Sequence, residues 1–330
     1  MKRGTAGLFL AAVLLAAAGL AQQIVTSLTL FAGTPEGLWR SANWGGSWER
    51  VRGHSSGVRL DGLGAARAIV PLGPQVYVAG DGGLYVSEDF GESWKALSLT
   101  PGVLSLLMSR YPSADPTVFV GTADGLLRSR DGGRSFGPTT LSGTPIHRLE
   151  WPGPALVAAT GRGLLITTDE GQRLSGPGRG LPAEDVRAFA VSSYFAADPV
   201  LFAAPASGGV FRSSDGGASW SAAGLESERV GDLVWLGPFL YAAAEGGIYR
   251  TEDVGAHWTR LADSPGRPAR LLFPLAPAAG LEAFLATDRG VFRTADAGRS
   301  WVAAGLVGQE VLTVATFPPP PPSPPRRRRR

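Results

Sequence analysis

Ser213-Ser214-Asp215-Gly216-Gly217-Ala218-Ser219-Trp220 is the clearest copy of a phrase that returns seven times along this 330-residue chain. Ser87-Glu88-Asp89-Phe90-Gly91-Glu92-Ser93-Trp94 repeats its pattern, Ser/Thr-x-Asp-x-Gly-x-Ser-Trp. Looser copies run from Thr251 to Trp258, Thr294 to Trp301, Ser129 to Phe136, Ser41 to Trp48 and Thr167 to Leu174. The Asp position is held by Asn43, Asp89, Asp131, Asp169, Asp215, Asp253 and Asp296, at intervals of 46, 42, 38, 46, 38 and 43 residues. A period of that length in Gly-rich, β-forming sequence means a radial or stacked array of one supersecondary unit.

Between phrases the chain follows a four-strand grammar. In residues 181–222, Val186 to Val191 reads as a first strand and Ala197-Asp198-Pro199 as a turn. Val200 to Ala203 follows as a second strand, Gly208-Gly209 as a tight turn and Val210 to Ser213 as a third strand. The phrase then turns into a fourth strand near Trp220. Short β-branched and aromatic runs bounded by Gly, Pro, Asp and Ser are the hairpin signature, and four strands per unit make a propeller blade. The carboxylate of the phrase is expected to accept hydrogen bonds from a tight turn in which Gly permits positive φ. Its closing aromatic is then placed to bury apolar surface between units. The fourth copy ends in Arg173-Leu174, so its blade should be the least regular.

The two ends of the chain complement each other. Residues 27–51 supply only the second, third and fourth strands of a unit, whereas Glu310 to Phe317 reads as a first strand with no unit after it. Pairing them completes one blade and removes the open edge between first and last units. The expected fold is therefore all-β, a seven-bladed β-propeller of four-stranded blades, closed by N- and C-terminal strands within one blade.

The phrase resembles the Asp-box, or BNR, repeat of sialidase-like propellers, which is shared by sortilin-type receptors and by some xyloglucan-cleaving enzymes. A single seven-bladed ring behind a signal peptide is also similar to the Ycf48-type photosystem assembly factors. The resemblance covers about residues 27–317, and six of the seven copies keep Asp or Asn, Gly and a terminal aromatic together. It implies a scaffold used by enzymes and non-enzymes alike.

Composition divides the chain into residues 1–21, 22–317 and 318–330. Lys2 and Arg3, the apolar run Leu8 to Leu20 and the small residues before Gln22 read as a signal peptide that is cleaved on export to the periplasm or medium. The run is short for a membrane span, and a retained anchor is the alternative. Without cysteine there are no disulfides and no thiolate metal sites. Of 31 Lys and Arg, two precede residue 4 and five form Arg326 to Arg330, which leaves 24 against 28 acids in the propeller segment. Specific nucleic-acid binding by the ring is not expected. The tail, Pro318 to Pro325 and then five arginines, favours an extended spacer holding the arginines roughly 25 Å away. One reading is a tether to an anionic surface; the other is a solvated end.

Function is sought in what breaks the symmetry. Arg40, Arg128, Arg212, Arg250 and Arg293 each precede the phrase and form a recurring scaffold set. No sialidase Arg-Ile-Pro signature precedes the first phrase, and the last tyrosine is Tyr249, so that family's nucleophile has no counterpart. His54, His147 and His257 are scattered, and the residues call for neither a metal nor another cofactor. Glu36, Asp81, Asp124, Arg162, Glu245 and Asp288 occupy related turns and suggest a partial acidic collar at the channel mouth. The unequal loops add Arg52, His54, Arg59 and Asp61; Arg179, Glu184 and Asp185; and Arg267 and Arg270 as a binding face. The leading expectation is an exported, non-catalytic scaffold for a protein or peptide partner in the cell envelope. The rival is a glycoside hydrolase acting on a glycan, with Asp61 and Glu184 or Asp185 as acid and base and Trp151 and Trp235 as sugar platforms.

Overall fold

In six of the seven units the phrase forms the turn between the third and outer strands of a small antiparallel sheet in the computed structural model. The structure describes residues 29–52, 60–98, 102–109, 114–152, 155–169, 173, 175–192, 195–274 and 282–317. Residues 1–28 and 318–330, His54 and Arg59 therefore lie outside the described residues. Seven sheets follow one another around a ring.

Blade 1 places Thr313–Phe317 innermost, followed by Thr29–Thr34, Gly37–Ser41 and Glu49–Arg50. Blade 2 comprises Ala66–Leu72, Gln75–Gly80, Gly83–Ser87 and Lys95–Ser98, and blade 3 Val103–Met108, Val118–Thr122, Gly125–Ser129 and Gly137–Ser142. Blade 5 comprises Val186–Val191, Leu201–Pro205, Phe211–Ser213 and Ser221–Ala222. Val230–Leu236, Phe239–Ala244, Gly247–Thr251 and Thr259–Ala262 make blade 6. Blade 7 is Pro268–Leu272, Ala283–Thr287, Gly290–Thr294 and Val302–Ala303. The ring closes as the two half-units require: Thr29 pairs with Phe317 and Gly33 with Thr313.

Blade 4 departs from four strands. It has Ile146–Glu150, Leu156–Thr160 and Gly163–Thr167, and its outer strand is reduced to a bridge in which Ile166 and Ser175 exchange backbone hydrogen bonds of 2.9 and 2.8 Å. The chain then crosses to the neighbouring unit, where Arg179 N donates to Ala218 O and Trp220 N donates to Arg179 O. This is the blade whose phrase ends in Leu174 instead of an aromatic.

The second strands are buried along almost their whole length, because each is flanked by sheet on both sides and by a blade on both faces. Their aromatic residues knit the ring together. Phe31 meets Trp94 of the next blade edge-on at 6.4 Å, Phe119 meets Trp151 at 5.6 Å, Phe202 meets Trp235 at 5.6 Å, and Phe284 stacks obliquely with Trp44 at 6.0 Å. Trp151 and Trp235 are thus inter-blade packing residues. Each buried ring contributes about 1.5–3 kcal/mol from burial.

The phrase itself is a closed hydrogen-bond cluster. In blade 5, Ser213 Oγ donates to Asp215 Oδ1 at 2.8 Å and accepts from Gly217 N at 2.8 Å. Asp215 Oδ1 also accepts from Ser219 N at 2.9 Å, and its Oδ2 accepts from Ser219 Oγ at 2.5 Å. These bonds, Ser219 first, hold the Asp215 carboxyl at about 2, and the same cluster around Asp296 holds that carboxyl at about 2. Asn43 preserves the acceptor with Ser41 Oγ at 2.9 Å and Ser47 N at 2.8 Å, without the charge. The turn so fixed places the residue after the Asp in the left-handed region even where it is not Gly: Trp44 (φ 59°), Phe90 (61°), Val254 (58°) and Ala297 (60°). Cross-blade packing offsets that strain, as where Phe90 meets Phe317 at 5.4 Å. The next residue must be Gly, since a Cβ on Gly91 (φ 89°) would lie 2.5 Å from Phe31 Cζ.

Two predictions follow from this geometry. Gly91→Ala combines left-handed strain with that collision and should cost about 1–3 kcal/mol in urea unfolding. Gly73→Ala, with φ of 58° and open space around it, should cost less. Asp215 and Asp296 bind protons less readily folded than unfolded, so their stabilisation is present above the ordinary value of 3.8 and lost as pH falls towards 2. The melting temperature should drop across that window, and Asp215→Asn should make the drop shallower.

Candidate functional site

Six of the inner strands carry a register shift one turn below their start, at Ala66/Ala68, Val103/Ser105, Ile146/Arg148, Val186/Ala188, Val230/Asp232 and Pro268/Arg270. A bulge of this kind re-aims the side chain that follows it. The third residues of five of these strands, Ala68, Ser105, Arg148, Asp232 and Arg270, consequently line the channel near its mouth, the end at which outer strands connect to the next blade. In blade 3 the residue is Ser105, whose Oγ donates to Ile146 O of blade 4 at 2.9 Å. In blades 4, 6 and 7 the position is charged: Arg148, Asp232 and Arg270.

These three charges meet inside a channel of about 420 Å3. Asp232 is 1 % exposed; its Oδ1 accepts from Leu233 N and from Arg148 Nη1, which reaches across from blade 4. Its Oδ2 accepts from Leu271 N of blade 7 at 2.8 Å and lies 3.8 Å from Arg270 Nε. Arg148 also donates to Glu150 Oε1 at 2.6 Å, and its guanidinium lies over Phe189 at 5.2 Å. Burial alone would weaken the hold of Arg148 on its proton, but Asp232 and Glu150 outweigh it and raise its pKa. Arg270 goes the other way: the neighbouring Arg148 guanidinium, then burial, lower its pKa. Two arginines therefore share one carboxylate, and Arg270 holds the weaker share.

Around the rim the ion pairs are local. Arg67 Nε donates to Asp81 Oδ1 at 2.9 Å. Arg187 Nε donates to Asp185 Oδ2 at 2.8 Å, and His147 Nε2 lies 2.7 Å from Asp185 Oδ1. Burial holds the His147 imidazole below its ordinary range against the pull of Asp185. Asp288 Oδ1 accepts from Arg267 N at 2.8 Å, and Arg267 Nη2 reaches Glu310 at 3.5 Å. The turn acids Asp81 and Asp288 are thus interleaved with arginines in an alternating collar.

The residues nominated from sequence separate into groups. Arg270 lies in the channel, while Asp185 and Arg267 stand at its rim. Glu184 Oε1 accepts from Ser207 N of the adjacent turn at 2.9 Å. Arg179 lies at the opposite end, bound to the phrase of blade 5. Arg52 lines a shallow groove with Glu36, Trp39, Arg50 and Gln309. Asp61 belongs to the one-turn 3-10 helix Leu60–Gly62 that precedes blade 2, whereas Glu184 and Asp185 precede blade 5. Sequence reasoning passed over Arg148 and Asp232. The signal was present: inner strands otherwise apolar or small at that position carry charges in three blades.

Removing the shared carboxylate by Asp232→Ala leaves Arg270 without its carboxylate and Arg148 with Glu150 alone, and should cost about 3–5 kcal/mol in chemical denaturation. Adding Arg148→Met should recover part of that loss, a non-additivity that reports the pair directly.

Comparison with known proteins follows the same lines. The BNR-Asp box repeat model matches residues 84–97, the second phrase with its third strand. No curated protein matches the sequence. Among solved structures, one described as YCF48 bound to D1 peptide is similar at 18% identity and TM-score 0.52, covering 71% of this chain and 79% of that one. YCF48 from Cyanidioschyzon merolae is 15% identical with TM-score 0.58, covering 82% and 90%. The Niastella koreensis GH74 enzyme is 14% identical with TM-score 0.54, covering 86% of this chain and 58% of that chain. This chain carries the BNR-Asp box repeat on a seven-bladed β-propeller fold.

Proposed function

We propose that this protein is an exported, non-catalytic binding module that holds a segment of a partner protein, through a carboxylate, at the arginine-bearing mouth of its channel. The observation that carries the reading is the shortage of acid around Arg270. Asp232 already accepts two backbone N–H groups and the Arg148 guanidinium, and approaches Arg270 only at 3.8 Å. An incoming carboxylate would relieve the repulsion between the two guanidinium groups and accept hydrogen bonds from the Arg270 fork. The channel is wide enough at about 420 Å3 for a side chain or chain end, and the loops around it add rim contacts. A similar fold is described as bound to a D1 peptide, which supports peptide binding as a use of such a ring.

The carboxylates nominated for hydrolysis favour this reading over glycosidase chemistry. Glu184 is held by Ser207 N, and Asp185 is held by Arg187 beside His147. A glycosidase needs two carboxylates facing each other across the scissile bond, and both of these acids are instead engaged by neighbours within blade 5.

A test uses synthetic peptides with free carboxylate ends or acidic side chains, alongside their amidated, neutral counterparts, read by fluorescence anisotropy. Wild type should prefer the carboxylate forms, and Arg270→Gln should weaken that binding by on the order of tenfold or more. Equal binding of amidated peptides by wild type and variant would overturn the proposal, as would Glu184-dependent release of sugar from a glycan panel.

A further inference from the structure

Blades 1 and 6 carry the same arrangement at the mouth end of their third and outer strands, and one of the two copies is incomplete. Only in these blades does the outer strand place an arginine opposite an aromatic residue of the third strand: Tyr249 pairs with Arg260 in blade 6, and Trp39 with Arg50 in blade 1. The loops that enter the two blades also match. Leu225 and Leu306 both adopt left-handed backbone, with φ of 57° and 52°. Each carbonyl accepts from the amide three residues on, Glu228 N at 2.9 Å and Gln309 N at 3.0 Å. Gln309 therefore stands where blade 6 has Glu228, and Glu36 stands where it has Gly246.

In blade 6 the arrangement is closed by its own acids. Glu228 Oε1 accepts from the Tyr249 hydroxyl at 2.7 Å, and its Oε2 accepts from Gly246 N at 3.0 Å. Arg260 Nη2 donates to Gly246 O and to Asp263 Oδ1, both at 2.5 Å. Blade 1 keeps the donors and loses both acids. Arg50 Nη2 donates to Glu36 O as Arg260 does to Gly246 O. Three residues beyond Arg50, however, in the place of Asp263, the chain has Gly53, and Arg52 replaces Ala262. The Trp39 indole N–H, in the place of the Tyr249 hydroxyl, is buried with no acceptor among the described residues. Residues 53–59, Gly-His-Ser-Ser-Gly-Val-Arg, contain no acid to make up the loss. Between blades 7 and 1 this leaves an open groove of about 700 Å3, lined by Glu36, Trp39, Arg50, Arg52 and Gln309. It carries two guanidinium groups against one carboxylate.

We infer that this groove is a docking site for an acidic side chain of a partner protein, whose carboxylate completes at blade 1 the network that Glu228 and Asp263 complete at blade 6. Arg50, oriented by the Glu36 carbonyl, offers its remaining N–H groups, and Arg52 adds a second fork with no partner among the described residues. A side chain carried on a polypeptide suits the groove better than a free ion. Exposed arginines gain little from an isolated carboxylate, whereas the residues flanking an acidic side chain bury area against Trp39 and Gln309. Arg270 takes no part in the groove, so this inference stands apart from the reading of the channel.

The experiment uses the full chain and a fluorescein-labelled peptide, capped at both ends, in which glutamates are spaced by Gly and Ser. Its counterpart has Gln in place of every Glu, and binding is read by anisotropy. The glutamate form should bind more tightly than the glutamine form. Arg50→Gln combined with Arg52→Gln should weaken that binding by on the order of tenfold. Gln309→Glu should weaken it by a similar factor, because it restores the acid of blade 6 and fills the site from within. Introducing Arg270→Gln should leave the difference between the double variant and its parent in place, which separates the groove from the channel. Equal affinity of wild type and the double variant would overturn the site, and undiminished binding by Gln309→Glu would overturn the place assigned to the carboxylate. Displacement of the peptide by acetate or free glutamate at the peptide's own concentration would overturn the assignment to a partner protein.

Discussion

A carboxylate or amide oxygen that accepts from a turn it also shapes is the interaction on which this ring depends. In each phrase, Ser or Thr bridges the Asp or Asn acceptor and, in most copies, the following Gly amide. That small cluster forces a non-glycine residue into left-handed backbone in four blades, and it points the chain at the neighbouring blade. Phe90 and Trp44 then pack on Phe317 and Phe284. Local hydrogen bonding is in this way converted into contact between units that are far apart in sequence.

The two ends of the ring consequently have different tasks. At the phrase end, repetition makes every blade alike and the hydrogen bonds serve packing. At the mouth, bulged inner strands of five blades place a side chain each around a common axis, where differences between blades gain meaning. Arg148 spans from blade 4 to blade 6, and Asp232 receives both it and the blade 7 backbone. A charge network of this kind braces blades 4, 6 and 7 across the channel and leaves Arg270 with the weaker share of the carboxylate.

How much was legible in the sequence depends on the range of each interaction. Strand order, the seven units and the closing pair of Thr29 with Phe317 follow from periodicity and from an incomplete first unit, both local features. The irregular fourth blade was announced by Leu174 in the place of an aromatic. The site was less legible because Arg148 and Asp232 are 84 residues apart and become partners only through ring geometry. Arg179 was misassigned for a related reason. Its loop was expected at the mouth, but the missing outer strand of blade 4 lets the chain run on to the phrase end of blade 5. Asp185 and Arg270, by contrast, lie at the mouth as expected, where unequal loops and inner-strand starts converge.

Ring closure has a consequence in time as well as in space. The strand Thr313–Phe317 is both the last described segment of the chain and part of the channel wall, where Leu312, Thr313 and Val314 line the lumen. A chain emerging from its N-terminus can pair strands within each of the six units of blades 2 to 7. Until residues 313–317 arrive, however, blade 1 has no inner strand, and the channel has a gap in its wall. The channel mouth is therefore the last part of the described ring to be completed, and a chain halted before residue 313 is an open arc with unpaired edges.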